Sequence, residues 1–183
     1  MAEILRRVDR KMRYRGTVLK LYSDFVELPD GKIAEWDYLE HNGGAAVVPV
    51  TNDKKILMVR QYRNAIDRFT LEIPAGARDF ENEPTIQCAA REVEEETGYR
   101  AGKLKKLLSL RSAVAFCNEA IDIYLATELT KIGQHLDEGE DIDVEEYTID
   151  ELMERIYAGE LQDAKTVAGI LAAGNILKDE FHE

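Results

Sequence analysis

The stretch GARDFENEPTIQCAAREVEEETGY, residues 76–99, carries the most informative pattern in this chain of 183 residues. Its second half predicts an amphipathic helix over residues 84–97 that ends at a C-cap glycine, Gly98. Apolar and small side chains recur at helical spacing and predict the buried stripe of this helix, namely Ile86, Ala89, Ala90, Val93 and Thr97. The helix is the reference point for interpreting the rest of the chain.

Three glutamates of this helix, Glu92, Glu95 and Glu96, have i, i+3, i+4 spacing and cluster on a second face. Neighbouring like charges on a helix cost roughly 0.2–0.5 kcal/mol per pair. A hard divalent cation would reverse this penalty, because Mg²⁺ takes carboxylates together with substrate phosphates. A solvated acidic face explains the triplet alone more simply, so the surrounding residues decide between the two interpretations.

Short apolar runs on both sides of the helix predict further strands and helices. The predicted strands are residues 45–50, 56–62, 69–73, 103–110, 121–127 and 145–148, and the predicted helices are residues 149–157 and 163–177. Strands and helices alternate without a regular βαβ period. We therefore predict an α/β (α+β) fold in which a mixed sheet is flanked by helices.

Residues 1–42 differ in character from the rest of the chain. Residues 16–28 and 33–39 are β-prone, and the turn signal Pro29-Asp30-Gly31 separates them. This pattern predicts a small N-terminal β-rich appendage, followed by the main domain over residues 43–183. Such a hairpin is marginally stable alone and must pack on something.

The composition excludes several classes of protein. The chain has 36 acidic and 24 basic residues and a net charge of −12, which argues against binding DNA, RNA or anionic membranes. Its two cysteines, Cys88 and Cys117, lack the spacing of a zinc site or a disulfide framework. The charged N-terminus is not a secretory signal, and no apolar stretch is long enough to span a membrane. We therefore expect a cytoplasmic protein.

The residues of the opening stretch resemble a known family signature, the Nudix box. Gly76, Glu83, Arg91-Glu92, Glu95-Glu96, Gly98 and Tyr99 match glycine, five residues, glutamate, seven residues and REUxEExGU, where U is aliphatic or aromatic. One departure is that six residues separate the first glycine from the first glutamate. The resemblance implies a Nudix-like α/β/α sandwich and a divalent metal ion, Mg²⁺ or Mn²⁺.

The same resemblance implies roles for individual residues. Glu92 and Glu96 become the main metal ligands, Glu95 assists them and the reaction, and the backbone carbonyl of Ala75 joins them. The supporting residues of the box are Gly76, Glu83, Arg91 and Gly98. Of these, the glutamate and the arginine are expected to hold the loop and the helix together.

The string VRQYRNAIDRFTLEIPAG, residues 59–76, is similar to the ADP-ribose pyrophosphatase branch of that family, and the likeness extends over roughly residues 10–178. It implies that Arg63 binds the diphosphate, which suits a guanidinium because it contacts phosphate oxygens in a bidentate manner. It also implies that the appendage forms a homodimer. The implied reaction converts ADP-ribose to AMP and ribose 5-phosphate.

A second acidic concentration is DEGEDIDVEEYTIDE, residues 137–151. As a bare charge run it is explained by a solvated loop. In the branch that the chain resembles, a loop in this place supplies a catalytic glutamate and a further metal ligand. By that resemblance, Glu138 is the candidate general base and Glu140 an auxiliary metal ligand.

Several alternatives stay open at this point. A Ser-Pro-Gly-like marker of ADP-ribose specificity is absent from residues 112–119, so GDP-mannose or another nucleoside-diphosphate sugar is the second substrate class, and oxidised nucleoside triphosphates are the third. A non-catalytic Nudix-like domain that senses a nucleotide is the rival function, and an acidic interaction protein is the third. The appendage aromatics either stack on a base or pack in the protein, and they are Tyr14, Tyr22, Trp36 and Tyr38.

Overall fold

Residues 4–180 are described by a computed structural model, with side chains described up to Leu177. The strands are β1 (Arg6–Arg15), β2 (Lys20–Glu27), β3 (Ile33–Glu40), β4 (Gly44–Pro49), β5 (Ile56–Arg63), β6 (Arg68–Glu72), β7 (Ala75–Ala77), β8 (Tyr99–Arg111), β9 (Ala120–Lys131) and β10 (Ile142–Tyr147). The helices are α1 (Thr85–Thr97), α2 (Ile149–Tyr157) and α3 (Ala164–Glu180), with a short 3₁₀ turn at Asn64–Ile66.

The chain divides into two compact units, and the first is discontinuous in sequence. It combines the residues up to Gly43 with Arg111–Ala120. The main chain of Leu39 donates to Phe116 O at 2.7 Å and accepts from Asn118 N at 3.2 Å. These bonds place the later segment beside the end of β3 within the first unit. The role of the N-terminal appendage in forming a dimer stays a prediction.

The first unit is built on an antiparallel sheet in the order β1-β2-β3. Strand β1 was not predicted, because six of its ten side chains are basic and hide any apolar alternation. Its side chains form ion pairs within the sheet, Arg6 with Glu27 of β2 at 2.7 Å and Arg13 with Glu35 of β3 at 2.6 Å. Since exposed pairs contribute only about 0–1 kcal/mol each, the strand also depends on its backbone ladder with β2.

The second unit comprises Gly44–Leu110 and Ile121 to the C-terminal helix, and it contains two sheets. One has the order β7-β4-β9-β8, with β4 parallel to β9 and antiparallel to β7, so this sheet is mixed as predicted. The other has the order β10-β5-β6 and is antiparallel. A bridge between Val50 and Ile56 joins the ends of β4 and β5.

Helices cover both faces of the mixed sheet. Successive residues of a strand point to opposite faces, and β4 shows this directly. Ala45 and Val47 pack with α1, whereas Ala46 and Val48 pack with the core that includes residues of α2 and α3. The α/β/α sandwich predicted from the sequence is therefore confirmed. Within the described residues, no helix is long and apolar enough to cross a membrane.

Helix α1 ends at the predicted glycine, but one residue of its predicted buried stripe is exposed. Gly98 is its C-cap, with φ of +73°, and a Cβ there would lie 2.6 Å from Gln134 N. Only glycine fits such a left-handed, crowded position without strain. The prediction that Ile86 is buried was wrong, since 45% of this residue is exposed. It lies in the first turn of the helix, before the part of the stripe that meets β4.

Candidate active site

The acidic face of α1 is buried rather than solvated. Glu92 and Glu96 are only 7% and 4% exposed, although both are charged residue types. Helical spacing of four residues places the two side chains one above the other on the same face. A pair of carboxylates is costly to bury unless a cation or hydrogen bonds compensate, so this face is a candidate site for a cation.

The electrostatics of the two glutamates agree with this conclusion. Burial raises the pKa of Glu92 to about 7, with Arg91 opposing and Glu95 and Glu140 adding to the shift. Burial and the charge of Glu92 raise the pKa of Glu96 to about 8, against the hydrogen bond from the Ala75 amide. Burial therefore disfavours the ionised form of each carboxylate near neutral pH, although Arg91 pairs with Glu92.

The glycine loop approaches these carboxylates closely. The Ala75 N–H donates to Glu96 Oε2 at 3.0 Å. A Cβ on Gly76 would lie 2.1 Å from Glu92 Oε1, so any larger residue would displace that carboxylate. The pairing of β7 with β4 fixes the loop here, because Gly76 is opposite Ala45. The predicted part of the Ala75 carbonyl in metal binding stays a prediction.

Arg91 joins the loop to the helix. Its Nη1 lies 2.6 Å from Glu92 Oε1 and 3.1 Å from Glu95 Oε2, and its Nη2 donates to Ala77 O at 3.0 Å. Glu83 is buried, accepts the Asp79 N–H at 2.8 Å and lies 3.7 Å from Arg91. Glu83 and Arg91 thus hold the loop against the helix.

A divalent cation fits the donor chemistry of this face. Among the described residues, no three Asp, Glu, His or Cys side chains form a ready-made metal cluster. Instead, Arg91 Nη1 lies 2.6 Å from Glu92 Oε1 and 3.1 Å from Glu95 Oε2. The oxygen donors of Glu92 and Glu96, whose ionised forms are disfavoured by burial, nevertheless suit a hard ion of the Mg²⁺ type. The residues that would hold it are Glu92, Glu96, Glu95 and Glu140.

Arg63, the predicted diphosphate ligand, is held by a residue that the sequence analysis missed. Glu72 lies almost fully buried at the end of β6 and accepts from Arg63 Nε and Nη2, both at 2.7 Å. It also accepts from Thr70 Oγ1 at 2.6 Å and Lys165 Nζ at 2.5 Å. Burial raises its pKa, but the hydrogen bond from Arg63 and the charge of Lys165 outweigh burial and lower it to about 2.

A cleft of about 600 Å³ opens beside Arg63. Its lining includes five basic side chains, Arg60, Arg63, Arg68, Arg155 and Lys165, and three acidic ones, Glu72, Glu160 and Asp163. The cleft is thus locally positive in a chain whose net charge is −12. Phe69 and Ile66 add exposed apolar surface to it. Its size and mixed lining are typical of a small-molecule site.

The second acidic concentration lies in the loop between β9 and β10 and in β10 itself. Glu140 is close enough for its charge to raise the pKa of both Glu92 and Glu96. Its Oε2 also accepts the Asp137 N–H at 3.2 Å. Glu138 is exposed in the same loop. The assignment of Glu138 as general base stays a prediction, whereas Glu140 lies in the electrostatic field of the acidic pair.

Comparison with known proteins places this geometry in context. The profile of the NUDIX domain family matches residues 40–169, which is more than half of the chain. The ADP-ribose pyrophosphatase of Bacillus subtilis (strain 168) is 38% identical over 165 residues, covering 89% of each chain. The methanol dehydrogenase activator of Bacillus methanolicus is 38% identical over 159 residues, covering 86% of this chain and 85% of that protein.

A solved structure described as an ADP compounds hydrolase superposes with a TM-score of 0.86 at 19% sequence identity. The match covers 98% of this chain and 97% of that one. At this level of identity the likeness concerns the fold. It agrees with the layered arrangement of helices on both faces of the mixed sheet.

Proposed function

The chain belongs to the NUDIX domain family, and we propose that it hydrolyses the diphosphate bond of a nucleoside-diphosphate sugar. ADP-ribose is the leading substrate, and the products are AMP and ribose 5-phosphate. Support comes from the Bacillus subtilis relative, which carries the name ADP-ribose pyrophosphatase and matches 89% of this chain. The residue string from β5 through β7 is the part of the sequence that favours this branch.

The buried pair Glu92 and Glu96 is the observation that carries the proposal. Two carboxylates with a raised pKa on one helix face form a site that gains stability from a divalent cation. We propose Mg²⁺, with Mn²⁺ as an alternative. When bound, such an ion neutralises charge that develops on phosphate oxygens and lowers the pKa of a water molecule. Glu95, Glu140 and the backbone carbonyl of Ala75 complete the proposed ligand set.

The remaining residues bind and orient the substrate. Arg63 contacts the diphosphate from the wall of the cleft, where its guanidinium is fixed by Glu72. Glu138 takes a proton from the attacking water, as a general base within reach of that water would. The water oxygen forms a new bond to one phosphorus, and the bridging oxygen leaves with the other phosphate. The proton taken by Glu138 passes to the leaving phosphate or to solvent, so one water is consumed and both products are phosphate monoesters.

A homodimer is part of the proposal. The first unit exposes several large apolar side chains, among them Val8, Met12, Ile33 and Trp36. Exposed apolar surface on a small sheet favours association with a partner, and β1 is an edge strand that has a neighbour on one side only within its sheet. Sedimentation equilibrium tests the point, since a mass of 20.8 kDa would correspond to a monomer and reject the dimer.

A substrate panel tests the proposed function. Purified protein is incubated with ADP-ribose, GDP-mannose and a nucleoside triphosphate, with Mg²⁺ or with EDTA, and products are separated by ion-exchange chromatography. AMP and ribose 5-phosphate in the Mg²⁺ reaction alone support the leading reading. Preferred cleavage of GDP-mannose moves the assignment to the second substrate class. Binding without cleavage supports the nucleotide sensor and rejects the enzyme.

A further inference from the structure

Lys165, in the first turn of α3, has no part in the mechanism described above. We propose that Lys165 is a positioning residue for the substrate diphosphate, which holds Glu72 and, through Glu72, the guanidinium of Arg63. The inference rests on the proposed function, because it assumes that Arg63 binds the diphosphate. Lys165 would thus contribute to substrate binding although it follows Arg63 by 102 positions in the sequence.

Glu72 is the link between the two cations. One of its carboxylate oxygens, Oε2, receives Arg63 Nη2 at 2.7 Å and Lys165 Nζ at 2.5 Å. The other, Oε1, receives Arg63 Nε and Thr70 Oγ1. The side chain of Glu72 is 3% exposed and that of Lys165 is 11% exposed, whereas 40% of the Arg63 side chain remains exposed. The anchors are therefore buried, and the part of the guanidinium not engaged by Glu72 is left for a ligand.

The ammonium group is itself held in place by the start of α3. Asp163 precedes the helix and accepts the Thr166 N–H at 3.0 Å and Lys165 Nζ at 2.9 Å. Thr166 is fully buried, and its Oγ1 accepts the Ile73 N–H at 3.0 Å. The helix terminus is thus attached to the segment that follows Glu72 and leads into the glycine loop. A lysine in this turn has little freedom to move away from its carboxylate.

The charge balance explains why a second cation is needed. Arg63, Lys165, Glu72 and Asp163 together carry two positive and two negative charges. Loss of the lysine charge would leave Glu72 with Arg63 as its cationic partner and would remove one of the contacts that fix its carboxylate. A less firmly held Glu72 would position the Arg63 guanidinium less well, so binding of the diphosphate would weaken through Arg63.

A purely structural ion pair is the competing explanation, and kinetics separate the two. A structural pair predicts lower thermal stability with an unchanged KM for the surviving folded protein. A positioning role predicts a raised KM, and it also predicts that the effect disappears when Arg63 is absent. A double-mutant cycle measures that dependence, because residues that act through one another are not additive.

The test uses the full chain with Lys165→Met, Lys165→Arg, Arg63→Met and the Lys165→Met/Arg63→Met double variant. Lys103→Met is the matched control, since Lys103 is exposed on β8. We expect Lys165→Met to raise KM for ADP-ribose about 10- to 100-fold with kcat within about threefold, the scale of a misplaced substrate contact. Lys165→Arg restores KM to within about threefold. In the Arg63→Met background, Lys165→Met changes KM by less than about twofold.

Equilibrium binding of ADP-ribose to the metal-free protein, measured by calorimetry, is the second readout. Kd is expected to rise by the same factor as KM in Lys165→Met. Additive effects in the cycle, or a wild-type KM and Kd in folded Lys165→Met, overturn the inference. If Lys165→Met does not fold, Lys165→Gln, which keeps a neutral hydrogen-bond donor, carries the same comparison. If the wild type does not hydrolyse ADP-ribose but its Kd still depends on Lys165, the proposed function is rejected and the role of Lys165 in binding is kept.

Discussion

Glu96→Gln separates function from stability at the acidic helix face. The pKa of Glu96 is raised from 4.5 to about 8, because the side chain is buried and lies near Glu92. At pH 7.5 the unfolded chain would bear an ionised glutamate, whereas the folded chain resists ionisation. One pKa unit corresponds to about 1.4 kcal/mol, so at pH 7.5 this carboxylate lowers the free energy of unfolding by up to about 4 kcal/mol.

The sign of the effect follows from linkage. A raised pKa means that the contribution of Glu96 to stability is fully present below pH 4.5 and is lost as the pH rises through about 8. Glutamine does not titrate and can still accept the Ala75 N–H. In EDTA, the variant should therefore be more stable than the wild type at pH 7.5, and the difference should vanish near pH 4. Urea unfolding at the two pH values measures it.

Activity should change in the opposite direction. Loss of one proposed metal carboxylate is expected to reduce ADP-ribose hydrolysis at least about 100-fold, and Mg²⁺ should stabilise the wild type much more than the variant. Glu94→Gln is the matched control, because Glu94 lies on the same helix but pairs with Arg100 of β8 at 2.7 Å. Retained full activity in Glu96→Gln, or a variant less stable than wild type in EDTA at pH 7.5, would refute the reasoning.

Three further predictions concern the same site. Gly76→Ala places a methyl group 2.1 Å from Glu92 Oε1 and should reduce hydrolysis at least about tenfold. Gly174→Ala is the control and should leave hydrolysis unchanged, because its added Cβ makes only ordinary contacts. Equal activities of the two variants would contradict this prediction. Glu138→Gln should lower kcat about 100-fold without changing the Mg²⁺ requirement. Glu140→Gln should raise the Mg²⁺ concentration needed for a half-maximal rate. The reverse pattern in a Mg²⁺ titration would exchange the roles of the two glutamates. In EDTA, the melting temperature of the wild type relative to that of a Glu92→Gln/Glu96→Gln double variant should fall between about pH 5 and pH 8.5, because both glutamates have a raised pKa. A difference that does not change with pH would show that the pair does not resist ionisation.

The sequence predicted α1 and its end well because the signals are local. Gly98 follows directly after the last helical residue, and its positive φ is what a C-cap glycine provides. Strands with continuous apolar runs, such as β4 and β5, were predicted nearly to their bounds for the same reason. Strand β1 was missed, because its pairing with β2 and its ion pairs are visible only in three dimensions.

The candidate site was predictable in its residue types and not in its surroundings. The spacing of Glu92 and Glu96 is readable from sequence, but their burial depends on how the glycine loop meets α1. Glu72 and Lys165 were missed, because 93 positions separate the partners of that ion pair. One usable signal existed, since a charged residue between apolar neighbours before Pro74 is unusual in a strand end that must be buried.

The discontinuity of the first unit limits how this protein can be shortened or recombined. A chain that began at Gly44 would remove the partners of Phe116 O and Asn118 N, and it would also remove the His41 N–H that donates to Asn118 Oδ1 at 2.8 Å. Main-chain groups that lose their partners must find water or rearrange. Residues 111–120 and the N-terminal strands therefore have to be inherited, exchanged or deleted together.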